Sequence, residues 1–317
     1  MSDRFTFSAA MPALADGLEA WKVALAGIED VGYDAVAISD HVIGGWSLDP
    51  ITMLAAAAMA TSRVRLRTMV LANDHRHPVF VHRAMSTIDS LSQGRVEIGL
   101  GAGWWREEYA AVGLRFDPPG QRIRRLEESV CLIKQLFEPG PVTLAGDHYH
   151  VRALNGLPAP VQRPRPPIFI GGGGPSILAL AGREADIAGI NPSLGSGVPG
   201  SAQAIACLDP PRLRRLIDVV RSAADLAERT PPRLQMSLLA YDLRGSDGRR
   251  ATWRSTVAPA EWQQRAKLPA VPGVLVGSTD ECIEQLEGWR EEFGIVDIHV
   301  GGNAVALRDI VGRLAGR

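Results

Sequence analysis

Short β-branched or apolar runs alternate along this chain with longer stretches in which apolar residues recur every third or fourth position, and this alternation leaves few folds open. The runs fall at residues 5–10, 33–39, 64–71, 96–100, 167–170, 186–190, 234–241 and 296–300. Between them Leu14, Leu18, Trp21, Leu25 and Ile28 share one helical face, as do Ile123, Leu126, Val130, Ile133 and Phe137. Repeated strand–helix units build parallel sheets. Eight of them predict a closed (β/α)8 TIM barrel; a doubly wound open sheet has the same local pattern, and the strand count favours the barrel. The 317 residues show no sharp shift in composition, so a single domain over 1–317 is expected, with its surplus in insertions at 136–167 and 191–232. The first is rich in Pro and Gly, with a hairpin expected around Gly146; the second holds a helix with Leu213, Ile217, Val220 and Ala224 on one face.

Lys and Arg total 34 against 35 for Asp and Glu, a formal net charge of −1, which gives no broad attraction to nucleic acid or anionic membrane. Lysine occurs only at Lys22, Lys134 and Lys267, so nearly all positive charge is arginine, suited to fork-shaped binding of phosphate or carboxylate. Cys131, Cys207 and Cys282 are isolated and flanked by apolar residues, a pattern of neither disulfides nor metal ligands. The longest mostly apolar run, 51–60, is too short to span a bilayer, and residues 1–7 lack the features of an export signal. A cytoplasmic protein without a membrane segment is expected.

In a barrel, chemistry collects at the carboxyl ends of the strands. There the second run delivers Asp40-His41, a carboxylate beside an imidazole that titrates near neutrality, though a loop cap beside a solvent-facing histidine reads equally well. The third leads into His75, Arg76 and His77, which lack the supporting ligands of a metal site; Arg76 either holds an anionic group or ties the loop down. The fourth ends in Gly99, Gly101 and Gly103 at alternate positions, which lets a flat ring or another backbone approach closely, followed by Trp104 and Trp105. After the fifth, Gly171 to Gly174 and Ser176 open a helix, a turn whose bare N–H groups and helix dipole suit a phosphate. Residues 276–281 read as a loop with a helix cap, and Gly301-Gly302 again clears side chains from the rim. His299 reads as a core histidine; Trp46, Trp104 and Trp105 read as stacking candidates for a ligand.

These residues together resemble the bacterial luciferase-like superfamily of flavin- and deazaflavin-dependent TIM-barrel enzymes. The resemblance spans nearly the whole chain: Ser39-Asp40-His41, then 66–71, 94–104, 168–174, 181–186 and 276–279. Within the superfamily the chain is most similar to the coenzyme F420-dependent oxidoreductases. That resemblance implies that Asp40 and His41 lie against the deazaflavin ring, with His41 as acid/base oriented or charged by Asp40. It implies a cis Met69–Val70 peptide behind the ring, Ala102 and Gly103 facing it, and Gly172, Gly173, Gly174 and Ser176 around its phosphate.

Three departures stand out. Trp104 occupies the position of an acidic residue in the family's sugar-phosphate dehydrogenases, leaving Glu107 or Glu108 as distant substitutes. The tryptophan expected after Asp-His arrives at Trp46, behind an extra glycine, and lysines that hold phosphate in some relatives are missing. The expected function is hydride transfer between F420 and a small, mostly apolar organic substrate beside Trp46 and Trp104, by a homodimer. The alternatives are an FMN-dependent monooxygenase and a non-catalytic flavin-binding homologue; a metal-dependent hydrolase lacks its ligand cluster.

Overall fold

The computed structural model describes residues 4–45, 48–192, 208–245 and 247–317. β1 (Thr6–Ala10), β2 (Ala35–Ile38) and β3 (Arg65–Thr68) follow one another as parallel neighbours, and the chain after β3 re-forms as a short β4 (Leu71–Ala72). Then come β5 (Val96–Gly101), an antiparallel hairpin of β6 (Pro141–Ala145) and β7 (His150–Asn155), and β8 (Ile168–Gly172), β9 (Ile187–Ile190) and β10 (Arg233–Ser237). A side sheet of β11 (Ala240–Arg244), β12 (Arg250–Arg254) and β13 (Val274–Ser278) precedes β14 (Ile295–Val300). Parallel pairing runs β3-β2-β1-β14-β10-β9-β8-β5, and a β3–β5 pairing closes the ring. This is the expected eight-stranded TIM barrel.

Among the described residues, the helices between and after these strands are α1 (Leu18–Val31), α2 (Pro50–Ala60), α3 (Pro78–Leu91), α5 (Pro119–Phe137), α6 (Pro175–Glu184), α7 (Pro210–Leu226), α8 (Thr279–Phe293) and α9 (Arg308–Leu314); a short α4 (Arg106–Ala111) follows β5. Local chemistry sets their ends. Asp49 caps α2 by accepting from the Thr52 amide, Gly32 ends α1 in a left-handed conformation, and Ser278 with Glu281 forms a capping box on α8. Residues 276–278 therefore belong to β13 and the cap, not to a loop. The hairpin expected around Gly146 is β6–β7. The helix of the 191–232 stretch is α7, which packs on α6 as the barrel's sixth helix; 193–207, with Cys207, lie outside the described residues. The run at 234–241 divides, because after β10 the chain leaves the barrel and β11 starts the side sheet.

The barrel interior is not wholly apolar. Arg67 donates to Glu97 at 2.6 Å and to both oxygens of Asp297 at 3.1 and 2.8 Å, all three at most 2% exposed. Arg65 and Arg233 reach Glu97 and Asp297 from below at 2.6 and 3.0 Å. Outside the barrel, His82 on α3 is buried with its ring 4.5 Å from that of Phe137, and burial pushes its pKa down to about 4. Since this lies below the unfolded value of 6.5, the unfolded chain takes up the proton first as pH falls. The contribution of neutral His82 is intact above about pH 6.5 and lost progressively towards about pH 4. A His82→Gln variant should show a shallower fall in melting temperature across that window; parallel curves would contradict this.

Candidate active site

The turn after β2 carries Asp40 and His41. Successive residues of an extended chain point to opposite sides, and here they go to different partners. Asp40, 3% exposed, accepts from the Ala72 amide at 3.1 Å and from Arg76, with the His75 ring 3.7 Å away. Burial alone would raise its pKa, but His75, the Arg76 guanidinium and the amide outweigh it and hold the carboxyl below its usual range. Arg76 also reaches Asp49 at 2.8 Å, so of its two sequence readings the loop tie is the one seen.

The carboxylate hydrogen-bonded to His41 is Glu108 of α4, not Asp40. His41 Nδ1 lies 3.2 Å from Glu108 Oε2, and the Val42 amide donates to Oε1 at 2.6 Å. Glu108 is 2% exposed; burial would raise its pKa, yet His41 and the Val42 amide hold it below the ordinary carboxylate range. Trp104 and Trp105, stacked with ring centroids 5.1 Å apart, both meet the His41 ring in T-shaped contacts, centroid to centroid at 5.7 and 5.6 Å. Glu108 was the distant substitute of the sequence reading. Its signal was present, an acid in the first turn of a helix just after the glycine-rich strand end, but adjacency favoured Asp40. Trp46 lies outside the described residues.

The Met69–Val70 peptide is cis, as the resemblance implied. The Ser39 hydroxyl donates to the Met69 carbonyl at 3.1 Å, tying the turn of Asp40 and His41 to this bond. The alternate glycines of β5 make room for the same segment. A Cβ on Gly99 would sit 1.8 Å from the Thr68 carbonyl oxygen, and one on Gly101 2.5 Å from Val70 Cγ2. Gly99→Ala, which meets backbone, should destabilise by more than about 3 kcal/mol, and Gly101→Ala, which meets a side chain, by about 1–3 kcal/mol; denaturant melts matching wild type would overturn this packing. Space beside Gly103 is filled by the Tyr109 hydroxyl rather than left open, and Ala102, 9% exposed, gives its carbonyl to Arg122.

Across the rim, Gly174 precedes α6 with no side-chain cap and no atom within 4 Å of where its Cβ would stand; Gly172 is half-buried, Gly173 buried and Ser176 exposed. Val70 fills the space of the missing Gly101 side chain and lies 3.4 Å from that of Gly171, an apolar shelf bridging β5 and β8. His299 points into the barrel one layer above Asp297. It is half-buried rather than core, with Nδ1 3.1 Å from the Ser8 hydroxyl, and enclosure with the nearby Arg67 charge pushes its pKa down to about 3.

Residues 6–296 match the family model for luciferase-like monooxygenases. The chain belongs to that family. This luciferase-like chain is 30% identical over 223 residues to the F420-dependent glucose-6-phosphate dehydrogenase of Amycolatopsis mediterranei, covering 68% of itself and 62% of that protein. It is 36% identical over 164 residues to the enzyme of the same description from Kineococcus radiotolerans, covering 50% and 48%. The matches thus span about half to three fifths of these relatives' length. Among solved structures, an F420-dependent secondary alcohol dehydrogenase with an F420–acetone adduct shares the fold at TM-score 0.74 and 18% identity, with 98% of each chain covered. A long-chain alkane monooxygenase shares it at 0.75 and 14%, covering 99% of this chain and 91% of that one. No helix among the described residues is long and apolar enough to cross a membrane.

Proposed function

We propose that this luciferase-like barrel is an F420-dependent oxidoreductase in which His41 moves the proton that accompanies hydride transfer to or from a small organic substrate. The buried Glu108 carboxylate on the rim histidine His41 carries this reading. The names of the 30–36% identical relatives support F420 over FMN.

The residues present fit a planar cofactor bearing a phosphate. Gly172, Gly173, Gly174 and Ser176 would hold the phosphate, since the uncapped start of α6 offers N–H donors and the positive end of a helix dipole. Val70, fixed between the strand ends, would support the ring. Bound there, the deazaflavin would supply hydride acceptance or donation.

The rest falls to the chain. With Nδ1 on Glu108, His41 keeps a hydrogen on that nitrogen and exchanges protons through Nε2, taking one from a substrate hydroxyl or giving one to a carbonyl oxygen. Glu108 fixes the ring's orientation and balances its charge when protonated. Asp40 positions the site, clamping the third-strand segment through the Ala72 amide and Arg76. The stacked Trp104 and Trp105 pack against the His41 ring and hold it in place. We also propose that the chain works as one domain, in a cytoplasmic homodimer.

The test is to mix the protein with oxidised F420 and a panel of secondary alcohols. The expected result is bleaching of the deazaflavin's visible absorbance. Unchanged absorbance throughout, with oxygen uptake in the presence of reduced FMN, would assign the site to a monooxygenase instead.

A further inference from the structure

We propose that the substrate is an uncharged, largely apolar alcohol or ketone held between Trp104 and Trp253, and not a phosphate ester; this rests on the hydride-transfer reading above. The argument begins with the ring of strands. From β5, four steps in either direction around the barrel lead to β14, so the two strands lie on opposite sides of the mouth. Trp104 follows β5. Over the carboxyl end of β14 lies Trp253 of the side sheet, whose ring atoms stand 2.3 Å from where side chains of Gly301 and Gly302 would be. The glycine pair therefore clears the rim for an indole from elsewhere in the chain.

The side sheet is fixed in this position. The Leu238 amide donates to the His299 carbonyl at 2.8 Å, Leu239 donates to Gly273 at 2.7 Å, and Trp253 stacks on Tyr241 at 5.7 Å. Strand alternation then sorts its side chains. Tyr241, paired with Trp253, faces as Trp253 does, while Arg244, Arg250 and Arg254 lie on the other face, where Arg250 is paired with both oxygens of Asp242 at 2.7 Å. The sheet turns its aromatic face to the mouth and its arginines away.

The other connections at this rim bring little positive charge. Among the described residues, 11–17, 39–45, 48–49, 173–174, 191–192, 208–209 and 301–307 contain no lysine or arginine. After β3 and β5 come Arg76, held by Asp40 and Asp49, Arg106, over the Phe116 ring at 4.7 Å, and Arg115, 2.5 Å from Asp117, while at the start of α5 Arg122 is held by the Ala102 and Gly103 carbonyls and Arg125 by Asp74 and Asp117. Arg249 and Arg265 lean towards Asp247 and Asp242 at 3.5 and 4.0 Å, and Lys267 is exposed. Apart from the helix start assigned to the cofactor, the rim offers a second phosphate no built cradle among the described residues, whereas two indoles suit an apolar ring.

Saturation-transfer NMR on the protein with F420 tests this, using cyclohexanol and glucose 6-phosphate as probes. Transfer to cyclohexanol is expected, with none to glucose 6-phosphate; Trp253→Ala should weaken the cyclohexanol signal at least fivefold and Trp253→Phe should restore most of it. Glucose 6-phosphate binding as well as cyclohexanol, or cyclohexanol binding unchanged in a folded Trp253→Ala protein, would overturn the proposal. Quenching of the cofactor's own fluorescence reads F420 binding separately. Were that to fail, the cofactor reading would fall, and the NMR comparison repeated without F420 would still decide the substrate class.

Discussion

Replacing His41 by alanine should lower kcat by about 10²- to 10⁴-fold, the range that a positioned acid/base contributes, while F420 affinity stays within about threefold of wild type. The two readouts separate because His41 is assigned to the proton, whereas the cofactor's phosphate and ring are assigned to the start of α6 and to Val70. Glu108→Gln should have a smaller effect. The amide can still accept from Val42, but it no longer carries the charge that balances a protonated His41. Stopped-flow bleaching of F420 measures both variants. A His41→Ala protein within a few fold of wild type would show that the histidine moves no proton in the limiting step, and would favour a binding role for the chain.

The second large effect is on stability. Arg67→Met should cost about 3–5 kcal/mol, because it strands Glu97 and Asp297 as neighbouring buried charges without the guanidinium between them. Burial would raise the Glu97 pKa, and it is chiefly the Arg67 charge, helped by Arg65, that holds it well below the carboxylate range. Without Arg67 these acids must take up a proton or remain charged in an enclosed space, and either costs folding energy. Adding Glu97→Gln and Asp297→Asn to Arg67→Met should recover much of the loss, since no buried carboxylate is then stranded and the remaining charges, Arg65 and Arg233, are partly exposed and can turn to water. Urea melts of the single and triple variants decide this. A loss below about 1 kcal/mol in the single variant would mean that the three side chains contribute little beyond filling space.

The barrel was legible because its strands are buried on both faces and its helices on one, which leaves a repeating mark in the order of residues. The mark fails where the chain leaves the repeat. β12, Arg-Ala-Thr-Trp-Arg, is short and polar on one face, and only its pairing with β11 makes it a strand. The site was half legible. Asp40 and His41 stood out as neighbours in sequence, yet that adjacency separates them in space, and the carboxylate His41 uses comes from 67 residues away. The glycines at 99, 101, 301 and 302 announced a close approach, but the atoms that approach, a carbonyl and a valine from the third strand and an indole from the side sheet, could be identified only from the folded chain.

Equilibrium binding of F420 and FMN to the same protein preparation, by quenching of each cofactor's fluorescence, tests the central claim most directly. The account predicts F420 bound at least tenfold more tightly than FMN. FMN bound more tightly than F420 would contradict it.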